Sequence, residues 1–139
     1  MKNINKNFIL TLLSLLAFTN IQANPTGKEL FIQKCTSCHS INMPKSQKDL
    51  HAPPAVGVMF HLNNHFDNNE DLIAHIESFT MNPTREKAIC KSIRRFGIMP
   101  SQKGKLTKEE LSLIAQWLAN DVFITRSKYK RDKKAMFDN

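Results

Sequence analysis

Apolar residues recur at helical spacing in four stretches of the chain, and no stretch shows the period-two alternation of a half-buried strand. The first stretch opens on Thr26-Gly27-Lys28-Glu29, a T-x-x-E capping box, and carries Leu30, Phe31 and Cys35 on one side. The second starts at Asn68 or Asn69 and runs to Phe79, with Leu72, Ile73, Ile76 and Phe79 on one face. A third is predicted from Asn82-Pro83, since Asn suits the N-cap and Pro the first turn. Its apolar face holds Ala88, Ile89, Ile93 and Phe96, and Gly97 is its natural stop. The fourth opens on a second T-x-x-E box at Thr107 and turns Leu111, Ile114, Ala115, Trp117 and Leu118 inward. Between the first two lies a predicted loop over residues 39–66, because Pro44, Pro53, Pro54 and Gly57 interrupt regular structure. A loop this long in a small domain usually serves a function. The fold class expected is all-α.

The ends of the chain differ from its middle. Lys2 and Lys6 precede an apolar run from Phe8 to Phe18, too short to span a bilayer but right for an export signal. Residues 1–23 are therefore read as a signal peptide cleaved after Ala23, which places the rest in the periplasm. Residues 24–125 are read as one domain. Residues 126–139 hold six basic residues against Asp132 and Asp138, and are read as a flexible basic extension.

The whole chain has 139 residues and a formal charge of +8. One domain fits that length. Four glycines leave no room for a glycine-rich phosphate loop, and one Tyr with one Trp make a poor nucleic-acid platform, so no nucleic-acid partner is expected. Three cysteines exclude a fully paired disulfide framework.

Cys35-Thr36-Ser37-Cys38-His39 is a C-x-x-C-H motif, the attachment site of c-type haem. Each thiol adds across one porphyrin vinyl group, and the two vinyls are matched by thiols about one helical turn apart. His39 then offers a ring nitrogen to the iron. A zinc site would need a second pair of ligands at similar spacing, which the chain lacks. A thioredoxin-like pair would need a strand before it and a helix after it, and here the motif ends a helix. Haem c is attached outside the cytoplasmic membrane, in agreement with the export signal.

The sixth iron position has nine candidates: Met43, Met59, Met81, Met99, Met136, His51, His61, His65 and His75. Met99 stands out because it precedes Pro100 and follows the stop at Gly97, a setting that keeps it out of a helix. The main rival is a second histidine, with His61 and His65 spaced to face inward together. Met43, Met59 and Met81 read as gap-fillers. Phe31, Phe60, Phe66, Phe96 and Leu118 are expected to wall the pocket. Lys103, Lys105 and Lys108 are expected near an exposed haem edge, facing an acidic redox partner. Cys90 reads as a partly buried small hydrophobe, with an intermolecular disulfide as the alternative.

Over about residues 26–120 the chain resembles the class I c-type cytochromes. The likeness rests on Gly27-x-x-x-Phe31-x-x-x-Cys35-x-x-Cys38-His39, on Met99-Pro100, and on the stretch from Leu111 to Leu118 with Ile114 and Trp117. The resemblance implies the class I cytochrome c fold, in which the N- and C-terminal helices cross and helices pack around one covalent haem. It implies that Gly27 lets two backbones approach, that Phe31 and Trp117 pack at the crossing, and that a carbonyl of Pro53 or Pro54 accepts from the proximal His39. The function expected is a non-enzymatic, single-electron carrier with His/Met ligation, serving a respiratory or dehydrogenase partner. It is expected to be a monomer, with weak membrane-surface contact through 126–139. The alternative is a haem-based sensor or small-ligand binder with a labile distal ligand.

Overall fold

The computed structural model describes residues 23–46, 48, 50–122 and 126–138. The proposed export signal lies outside the described residues, apart from Ala23. Six helices follow in order: α1 (Gly27–Cys35), α2 (Ala55–Asn63), α3 (Asn69–Met81), α4 (Ile93–Phe96), α5 (Lys108–Asp121) and α6 (Arg126–Phe137). Among the described residues there is no strand, only an isolated bridge between Lys103 and Leu106. The all-α expectation holds.

Both capping boxes form. Thr26 Oγ1 accepts from Glu29 N at 3.2 Å, and Glu29 Oε2 accepts from Thr26 N at 2.8 Å. Thr107 and Glu110 repeat the exchange at 3.1 and 2.9 Å. The Thr26 and Thr107 backbone bonds pull the carboxyls of Glu29 and Glu110 below the usual carboxylate range. Each box satisfies orphan amides at a helix start, and so fixes where α1 and α5 begin.

α1 packs across α5, and α3 packs beside α5. Gly27 is the closest point of the first pair. A Cβ there would collide with the Leu113 carbonyl and stand 2.8 Å from the Trp117 Cβ. Four residues on, Phe31 meets Trp117 with ring centroids 5.3 Å apart and planes tilted by 51°. Leu30, Phe31, Leu111, Ile114, Ala115 and Leu118 are buried together at this crossing. Leu72 and Ile76 join them from α3, and Met59 and Leu62 from α2. Lys34 adds an ion pair with Glu110 at 3.5 Å, on a partly exposed edge where such pairs contribute little.

Three expectations need correction. The long loop is interrupted by α2, whose Ala55, Val56, Gly57, Met59 and Leu62 are buried. Pro53-Pro54 does not break a helix there; Pro54 stands at the N-cap and its carbonyl accepts from Gly57 N and Val58 N. The third helix is not continuous from Asn82. α3 runs on to Met81, residues 85–87 make a turn, and only Ile93–Phe96 is helical. Asn82 N bonds to Ser78 O, and Lys87 Nζ reaches the Ser78 hydroxyl at 3.0 Å, which folds the segment back on the end of α3. Finally, the basic extension is the helix α6, which rests on α2.

Gly27→Ala is expected to destabilise the protein by about 1–3 kcal/mol, because backbone rather than a movable side chain fills the space. Thr107→Ala is expected to cost about 1 kcal/mol through the lost cap. Urea unfolding of each variant measures both; a Gly27→Ala midpoint equal to that of the wild type would contradict the close approach.

Candidate functional site

The C-x-x-C-H segment is shaped by the end of α1. Thr36 is its C-cap, and the Thr36 hydroxyl donates to Ile32 O at 2.5 Å. Cys38 N and His39 N both donate to Cys35 O, at 3.1 and 2.9 Å. The chain therefore closes a turn over these five residues, and Cys35, Cys38 and His39 line one cavity. No disulfide joins Cys35, Cys38 or Cys90. Burial, with a smaller contribution from neighbouring Cys38, pushes the Cys35 thiol up to about 11. Among the described residues no group of three His, Cys, Asp or Glu side chains could hold a metal ion.

His39 is oriented from behind. Its Nδ1 lies 2.8 Å from Pro53 O. A carbonyl only accepts, so Nδ1 carries the proton and Nε2 keeps its lone pair. Burial holds the ring below the ordinary histidine range, so the imidazole is neutral at pH 7. Of the two prolines expected here, Pro53 makes this bond; the Pro54 carbonyl caps α2 instead.

Met99 reaches the cavity from the loop after α4. Gly97 ends α4 with φ of 77°, a left-handed conformation that favours glycine, and turns the chain into Ile98-Met99-Pro100. Beyond Pro100 the loop is tied to the end of α3. Ser101 Oγ donates to Met81 O at 2.5 Å and Gln102 N to Thr80 O at 3.0 Å. The Gln102 amide also donates to Pro100 O at 2.7 Å.

The cavity has a volume of about 520 Å³, in the range of cofactor-sized sites, and its wall is mostly apolar. Phe31, Phe96 and Leu118 line it as expected. Phe60 and Phe66 do not. Phe60 stacks on Tyr129, and Phe66 meets His65 and His75. Of the methionines, Met59 and Met99 line the cavity; Met59 is 1% exposed inside α2, as expected of a core filler. Neither His61 nor His65 is on its wall, whereas His51 and His75 are. Burial first, then nearby His65 and Lys87, lowers the His75 pKa. Lys105 stands at the rim.

Wall residues that sequence reasoning did not assign to the pocket include Val58, Phe79 and Cys90, whereas His75 stood among the candidate iron ligands. Val58 fell within the supposed loop. Phe79 carried a signal, since it lies three residues from Ile76 on the expected inner face. Cys90 is half-buried as expected, with its thiol 3.9 Å from Val58 O and pushed up to about 11 by burial.

The residues present fit a haem. An apolar cavity bears two thiols one turn apart, an imidazole with its free nitrogen defined by a backbone carbonyl, and a thioether from a separate segment. Soft sulfur and neutral imidazole are the donors expected around haem iron.

The family model described as "Cytochrome c" matches residues 25–120. A protein of Aquifex aeolicus (strain VF5), described as an uncharacterized protein, is 25% identical over 107 residues, covering 66% of this chain and 70% of that one. No solved structure matches the chain. The match runs from before α1 to the end of α5 and leaves α6 outside it. The helical fold and the covalent haem site at Cys35 and Cys38 follow together: this chain belongs to the cytochrome c family, with the class I fold.

Proposed function

We propose that the protein is a periplasmic single-electron carrier, not an enzyme, whose haem iron is held by His39 and Met99. The observation that carries this reading is that His39, fixed through Pro53, and Met99, fixed through the end of α3, line the same cavity. When bound, the haem supplies a one-electron iron couple.

Each residue then has a task. Cys35 and Cys38 would hold the macrocycle by thioethers and so keep it in the cavity. The Pro53 carbonyl raises the basicity of His39 and prevents ring rotation. Met99 would supply the second protein donor to the iron, which would leave no open site for substrate and favour a higher potential than a second nitrogen would. Phe31, Leu118 and the other apolar wall residues exclude water. A dry, rigid site changes little when one electron enters or leaves.

Export through residues 1–23 places the carrier where haem c is attached. No helix among the described residues is long and apolar enough to cross a membrane. The partner is an acidic redox protein, favoured by the basic balance of the chain. The protein acts as a monomer.

Oxidised holo protein is expected to show the weak far-red band of a sulfur–iron(III) bond, and Met99→Ala is expected to remove it. The reduced wild type is expected to resist carbon monoxide, while the reduced variant binds it. An unchanged band in Met99→Ala would exclude Met99 as ligand, and rapid carbon monoxide binding by the wild type would favour a sensor.

A further inference from the structure

Tyr129 makes α6 part of the fold. Its ring stacks on Phe60 at 4.1 Å with planes 10° apart, and its hydroxyl lies 3.1 Å from His61 Nε2. Gly57 and Met43 flank the same place. A twelve-residue helix is marginal by itself, and Lys130 and Lys134 repel at i, i+4 spacing. Packing of Tyr129 is what offsets that repulsion.

With Tyr129 turned in, Lys130, Arg131, Lys133 and Lys134 are exposed, and the acid between them, Asp132, is half-buried. Lys133 leans over the Tyr129 ring at 5.9 Å. Lys91 belongs to the same field, since it and Lys133 both depress His61 after the larger effect of burial. This charge backs on the haem cavity. Val58 and Met59 of α2 line the cavity, while Phe60 and His61 of the same helix hold Tyr129. Cys90, also on the wall, is close enough to raise the Tyr129 pKa, second to burial. α2 thus stands between the cavity and Tyr129 of α6.

The lysines nearer the rim are differently placed. Lys108 lies among Glu109 and Glu110 at the start of α5, and Lys34 is paired to Glu110. Acidic neighbours offset the charge of Lys108 and Lys34, whereas the described side chains of α6 set Lys130, Arg131, Lys133 and Lys134 against Asp132.

We propose that α6, fastened by Tyr129 to the outer side of the haem-cavity wall, is a built docking surface for an acidic face of the redox partner. The proposal rests on the carrier reading and adds where the partner sits. A fixed array of charges orients an encounter as well as accelerating it. A loose polycation would do only the second.

The test titrates oxidised, isotope-labelled holo protein with poly-L-glutamate at low ionic strength and follows backbone amide shifts. Shifts are expected on α6 and around Lys91. Lys130→Glu/Arg131→Glu/Lys134→Glu is expected to weaken binding about tenfold or more. Tyr129→Ala, which leaves the charge unchanged, is expected to weaken it about threefold and to spread the shifts. Shifts centred on Lys103, Lys105 and Lys108 would overturn the location and leave an acidic partner standing. Undiminished binding by Tyr129→Ala would overturn the built surface. Absence of binding to poly-L-glutamate, with binding to phosphatidylglycerol vesicles, would assign α6 to a membrane and remove the acidic partner as well. The far-red band of the same samples reports the carrier reading separately.

Discussion

The crossing of α1 on α5 is the constraint on which the site depends. The haem-binding turn is the direct continuation of α1, so its position is set wherever α1 is set. Gly27 permits backbone to meet backbone at Leu113, and Phe31 fills against Trp117 one turn later. Both helices start at reciprocal Thr–Glu caps, which leaves little freedom in their register. Cys35 thus reaches the cavity because Gly27, eight residues earlier, has no side chain.

Most of this was legible in the sequence because it is local. Capping boxes, the C-x-x-C-H spacing and the Gly97 stop are short-range signals, and each appears where the residues placed it. Met99 was singled out by its proline neighbour, and it does line the cavity with His39. What was not legible depends on tertiary contact. Pro53-Pro54 reads equally as a loop or as a helix start, and the burial of Val56, Met59 and Leu62 decides it. Residues 82–96 have helical periodicity. Bonds from Lys87 and Asn82 to the end of α3, with Ile89 and Cys90 on the cavity, favour an irregular path. The extension from Arg126 reads as flexible by its charge, and the packing of Tyr129 on Phe60 that docks it is a tertiary contact.

The family match ends with α5, so α6 is an addition to a shared scaffold. Through Tyr129 it packs on Phe60 and His61 of α2, neither of which lines the haem cavity. An addition of this kind can change which surface the molecule presents while the haem-attachment segment and the cavity stay as they are.

The loop carrying Met99 is anchored to the last turn of α3, through Met81 and Thr80, and not to the crossing of α1 and α5. Fraying of that one helix end would release the thioether while the hydrophobic centre stayed closed. Displacement of the Met99 loop from the cavity and global melting are thus separate events.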